Sequence, residues 1–147
     1  MALSDEQTLN RLNVFVYGTL KPGEVNYKRY CEGKVIEEQR AIAYGQLFDL
    51  PLGYPAMTSG ERSVQGCLLT FADPSILTSL DELEDYDPQR AIAENEYYRE
   101  QIEIYNLAGQ TLGLAWAYLM AFEQVQRWGG ILIPSGWWSG CVDTFTR

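Results

Sequence analysis

The sequence predicts an α+β fold: a mixed or mostly antiparallel sheet curled into a small β-barrel, with flanking helices. Three observations predict it. Short β-branched and aromatic runs are separated by turn chemistry, one central segment switches to a helical period, and two late runs flank a hairpin signal.

The elements follow in order. Met1 to Leu12 is polar and reads as a tail, with Ser4 and Gln7 at capping-box spacing that favours a short helix; the domain proper is expected over 13–147. Val14–Tyr17 reads as the first strand, and Gly18-Thr19-Leu20-Lys21-Pro22-Gly23 breaks it abruptly. Tyr27–Glu32 suits a helical turn. Ala41–Leu50 reads as a strand with Gly45 as a bulge, and Leu50–Gly60 as irregular because of its Pro and Gly content. Ser63–Phe71 is strand-like. A helix is expected from Pro74 to about Glu84, with Asp73 as its cap. Tyr97–Tyr105 and Thr111–Met120 form a hairpin around Asn106–Gln110.

Composition narrows the function. The chain has 147 residues, the size of one domain, with 46% hydrophobic and 13% aromatic content, which argues against disorder. A formal charge of −9 makes nucleic acid and anionic membranes poor partners. Neither a long apolar run nor a signal-peptide pattern is present, so a cytoplasmic location without membrane insertion is expected. The cysteines Cys31, Cys67 and Cys141 lack CxxC spacing and read as buried thiols. Histidine is absent, which excludes Ser-His-Asp, Cys-His and most zinc chemistry. Proton transfer must then fall to a carboxylate, lysine, tyrosine or cysteine.

One carboxylate stands out. On a helix advancing about 100° per residue, Ile76, Leu77, Leu80 and Leu83 form an apolar stripe, with Glu82 opposite. Glu84 lies about 40° from Leu80, inside the stripe. Three readings are open: a frayed end pointing to water, a buried ion pair with Arg99 or Arg90, or a catalytic or ligand-facing carboxylate whose burial raises its pKa.

Five segments then resemble one family. Tyr17-Gly18-Thr19-Leu20, Gly53-Tyr54-Pro55-Ala56, Val64-x-Gly66, Leu80-Asp81-Glu82-Leu83-Glu84 and Tyr97-Tyr98-Arg99 appear in the order seen in gamma-glutamylcyclotransferase-like (AIG2-like) proteins. The resemblance spans roughly Asn13 to Met120 and implies that family's barrel fold. It implies conversion of a small-molecule gamma-glutamyl substrate to 5-oxoproline with release of an amine or amino acid, without metal or organic cofactor. It implies that Glu84 is the catalytic acid/base and that Tyr17, Gly18, Thr19 and Leu20 hold the gamma-glutamyl head. The residue after the glutamate is often Gly in the family and is Asp85 here, where a second carboxylate either raises the Glu84 pKa further or sits in solvent.

Physical chemistry is consistent with those roles. Glycine at 18 lets a substrate approach the main chain, whose N–H groups can stabilise an oxyanion or hold a carboxylate. Tyr17 and Tyr118 either line the pocket or are packed strand aromatics. Lys21 is expected to be solvated or to assist the substrate carboxylate, and Arg99 to be a structural partner of the helix or sheet. Two alternatives remain: a non-catalytic binding module on this fold, and an interaction protein using the Trp137-Trp138 tail as an exposed apolar patch.

Overall fold

A computed structural model describes residues 11–91 and 94–140. The chain runs β1 (Leu12–Val16), α1 (Tyr27–Tyr30), β2 (Val35–Asp49), β3 (Pro55–Phe71), α2 (Ile76–Leu83), β4 (Tyr98–Tyr105), β5 (Thr111–Leu119), α3 (Phe122–Arg127) and β6 (Ile131–Leu132). Strand order is β3-β1-β5-β4-β2-β6, and β2 also pairs with β3, so five strands close into a ring with β6 along β2. The ring is uneven. The β2–β3 and β4–β5 ladders are long, whereas β1–β5 (parallel) and β2–β4 each meet at a single register pair, Val14↔Trp116 and Ile42↔Tyr105.

Alternation along β1 divides the core in two. Val14 and Val16 join Leu69, Phe71 and Leu80 beneath α2, while Phe15 and Tyr17 point into the ring. Inside the ring, Ala41, Ala43, Ala115 and Ala117 leave room for Phe15, Leu47, Met57 and Ile104. Small residues facing large ones let a narrow barrel fill without voids.

Several boundaries differ from expectation. β2 begins at Val35, because Glu37–Arg40 pair with Thr70–Cys67 of β3; a long ladder holds exposed polar residues that strand propensity does not favour. Leu50–Gly60 is not irregular throughout. Only 51–54 turn, and Pro55 opens β3 opposite Asp49, a first-residue position where proline is tolerated. Gly45 does mark a bulge, since pairing steps from Gly45↔Arg62 to Gln46↔Thr58. α2 starts two residues late, with Asp73 Oδ1 accepting from Ser75 N (3.0 Å) in the preceding turn. α3 and β6 have no counterpart in the sequence reading. The Ser4–Gln7 helix and Cys141 lie outside the described residues; Cys31 and Cys67 are buried free thiols.

The C-terminal tryptophans are packed, not presented as an apolar patch. Trp138 is buried, its indole Nε1 donates to Asp49 Oδ1 (3.1 Å), and its carbonyl accepts from Lys21 Nζ (2.5 Å). Lys21 is therefore not solvated. It is 1% exposed, 3.7 Å from Glu24, and its ammonium lies 4.4 Å from the Trp137 ring centroid. Indole faces, a carbonyl and a carboxylate together replace its hydration shell.

Candidate active site

β1 delivers the chain into a closed loop. Lys21 N donates to Gly18 O (3.0 Å), Asn26 N to Thr19 O (2.8 Å) and Asn26 Nδ2 to Thr19 Oγ1 (2.9 Å). Among the described residues the N–H groups of Gly18, Thr19 and Leu20 meet no protein acceptor. Three adjacent main-chain donors are thus available to negative charge.

Gly18 is also held to glycine by packing. Its φ is not left-handed, and a Cβ there would lie 2.7 Å and 2.9 Å from Cγ and Cδ of Pro55. The close neighbour is the Pro55 ring, in the segment that also carries Tyr54. Gly18→Val is thus expected to destabilise by about 1–3 kcal/mol through overpacking. Thermal unfolding should show the loss, and Pro55→Ala in the same chain should recover part of it.

The glutamate is presented by the end of α2. Leu80 is fully buried, and one turn later Glu84 N donates to Leu80 O (3.0 Å). Glu84 is already the cap residue, with φ −87° and ψ 3°, so the helix does end at Leu83, yet the side chain still turns inward. Asp85 follows at φ 56°, the left-handed region that glycine favours and Asp tolerates. Its carboxylate turns away to Arg90 Nη2 (3.2 Å). Arg99 Nε donates to Asp81 Oδ1 (2.8 Å), which also accepts from the Tyr118 hydroxyl (2.6 Å). Both arginines proposed as partners of Glu84 are thus engaged elsewhere, and Arg99 clamps α2 to β4 and β5.

Glu84, Tyr17, Gly18, Thr19, Leu20 and Tyr118 line one cavity of about 190 Å³. The two tyrosines contribute walls more than free hydroxyls. Tyr17 donates to Tyr118 O (2.6 Å) and accepts from Met57 N (3.2 Å), while Tyr118 is held by Asp81. Burial, and secondarily the Glu84 charge, raises the Tyr17 pKa well above its ordinary value.

Asn26, Tyr54 and Glu96 are among the lining residues that escaped sequence reasoning as site residues. Tyr54 was legible only as part of Gly53–Ala56, and Glu96 only as an acid just ahead of Tyr97-Tyr98-Arg99. The Tyr54 hydroxyl donates to Glu96 Oε2 (2.5 Å), a contact across 42 residues that no local pattern reveals. Burial, reinforced by the Glu96 charge, pushes the Glu84 carboxyl up to about 8. The second carboxylate is therefore Glu96, not Asp85.

Among the described residues, no group of three or more His, Cys, Asp or Glu side chains could hold a metal ion, and no helix is long and apolar enough to cross a membrane.

Comparison with known proteins is consistent with this geometry. Residues 14–140 match the family model described as gamma-glutamyl cyclotransferase, AIG2-like. The chain is 32% identical over 106 residues to the gamma-L-glutamyl-butirosin B gamma-glutamyl cyclotransferase of Niallia circulans, covering 72% of this chain and 66% of that one, just under two thirds of its length. It is 33% identical over 125 residues to a Vibrio cholerae protein with a provisional gamma-glutamylcyclotransferase name, covering 85% and 93% of the two chains. The crystal structure of an AIG2-like protein from Mus musculus superposes with a TM-score of 0.67 at 20% identity, covering 88% of this chain and 89% of that one, which shows the shared fold.

Proposed function

We propose, because the chain belongs to the gamma-glutamyl cyclotransferase, AIG2-like family, that it cyclises the gamma-glutamyl group of a small amine or amino acid to 5-oxoproline and releases the amine. The observation that carries this reading is Glu84, a carboxylate with raised proton affinity in a cavity that also holds three unused main-chain donors.

The steps balance without an added reactant. Glu84 takes a proton from the alpha-ammonium, and the freed amine attacks its own gamma-carbonyl. The C–N bond that closes the five-membered ring leaves negative charge on the carbonyl oxygen. The Gly18–Leu20 N–H groups can bind that oxyanion or the substrate's alpha-carboxylate. Collapse breaks the bond to the leaving nitrogen, which receives the proton from Glu84; the ring nitrogen gives up its second proton by the same route, so the products are the neutral amide nitrogen of 5-oxoproline and a departing ammonium. A cavity of about 190 Å³ is below the roughly 300–1,000 Å³ of drug-sized sites, so it suits a compact, folded glutamyl head.

The test is a panel of gamma-glutamyl amines, gamma-glutamyl amino acids and glutathione, with 5-oxoproline measured by mass spectrometry. Product from any of them is expected; binding without product across the panel would favour a non-catalytic module. The profile of kcat/KM against pH should rise through about 8, because free Glu84 must be ionised to act as base. The kcat profile should rise at lower pH, since the bound ammonium favours the carboxylate. A flat profile from about pH 6 to about pH 9 would exclude this assignment.

A further inference from the structure

Among the described residues the cavity carries two carboxylates, and no lysine or arginine lines it. Only Glu84 is used by the proposed chemistry. Glu96 is fixed in place: its N–H donates to Asp85 O (3.3 Å), its carbonyl accepts from Gln124 Nε2 (3.4 Å), and its Oε2 accepts from Tyr54. The Tyr54 ring packs at 6.4 Å from that of Tyr97. No cation pairs with Glu96 among the described residues. A half-buried carboxylate with a neutral phenol as its only side-chain partner retains unmet acceptor capacity.

Position tells which part of a substrate it meets. Tyr17, Gly18, Leu20 and Tyr118 are buried, whereas Glu84 is half-buried together with Tyr54 and Glu96. The glutamyl head, which must reach the Gly18–Leu20 donors, occupies the buried side. The leaving nitrogen takes its proton from Glu84, and Glu96 and Tyr54 share that half-buried side of the cavity, so the leaving group passes them. Its charge is felt there at short range, in a chain whose formal charge is already −9.

We propose that Glu96, held by Tyr54, is a specificity residue that selects gamma-glutamyl conjugates whose leaving amine carries a second, cationic amine, and that it disfavours leaving groups bearing a carboxylate. The inference rests on the cyclotransferase reading above and deepens it. A conjugate of a diamine places its distal ammonium where Glu96 can accept a charge-assisted hydrogen bond. A conjugate of an amino acid brings a carboxylate to the same place, with no cation in the lining to receive it.

The experiment compares gamma-glutamyl conjugates of putrescine, butylamine and gamma-aminobutyrate, which share a four-carbon chain and end in an ammonium, a methyl and a carboxylate. The parent should favour putrescine over butylamine by about tenfold in kcat/KM, with gamma-aminobutyrate lowest. Glu96→Gln should bring the putrescine-to-butylamine ratio close to one. Because the ratio is taken within one enzyme, any shift that the substitution causes at Glu84 cancels. High salt should lower the parent ratio too, an arm that requires no variant to fold. A carboxylate-ended conjugate that matches putrescine, or a ratio that survives Glu96→Gln, overturns the inference while leaving the cyclotransferase reading in place. If none of the three yields 5-oxoproline, and the wider panel is also silent, that reading falls and the inference with it.

Discussion

Glu84→Gln is expected to lower turnover about 10²–10⁴-fold while giving a protein more stable than the parent in alkaline solution. The kinetic half follows from the chemistry: the amide cannot take the ammonium proton, and no histidine exists in the chain to replace it. The stability half follows from linkage. The Glu84 carboxyl is raised from 4.5 to about 8 on folding, so between those values the folded state binds more protons than the unfolded one. Parental stability should therefore be unaffected by this group at low pH, fall as pH rises from about 4.5, and carry the full cost above about 8. The variant lacks that slope, so its advantage should be absent near pH 4 and grow to a few kcal/mol above pH 8. Melting temperatures across that range check the point. A parallel dependence in the two proteins would mean that Glu84 is hydrated and not confined by the cavity.

Gly66→Ala should destabilise the protein by about 3 kcal/mol or more, with loss of soluble, folded protein at growth temperature as one outcome. A Cβ at this position would lie 2.2 Å from the carbonyl oxygen of Val16 and 2.9 Å from the Phe15 ring. Backbone oxygen cannot rotate away as a side chain can, so β1 and β3 would have to separate where Val16 pairs with Cys67. Two residues beyond Val16 lies Gly18, so the strain would also reach the substrate loop. Chemical denaturation and the circular dichroism melt provide the measurement. A substitution that unfolds with the parental midpoint would show that β1 and β3 can spread at no cost.

These two residues illustrate what could be read in advance. Glu84 was legible because helical period is a local property: the nine residues from Ile76 to Glu84 suffice to put a carboxylate in line with an apolar stripe. Gly66 was legible only as part of a motif. Its physical cause is a strand from elsewhere in the chain, and Val16 is 50 positions away. Tyr54 and Glu96 lie further still from local reasoning, since their contact exists only once β3 and the β4 approach are side by side. For Asp85 two readings stood open, coupling to Glu84 or exposure to solvent, and the side chain is exposed. Adjacency in sequence suggested coupling to Glu84, but its left-handed backbone sends the side chain to Arg90.

The sequence by itself determined the class of fold, the strand-and-helix order around the loop at Gly18, the exclusion of histidine chemistry and the unusual placement of Glu84. Those properties depend on composition and on periodicity within single elements. Tertiary structure alone decided that Lys21 is buried against tryptophans, that Gly18 must yield to Pro55, and that Glu96 shares the cavity with Glu84. Each of these is a contact between segments distant along the chain. Burial and electrostatic coupling at such contacts depend on which surfaces meet in space, and no local period encodes that.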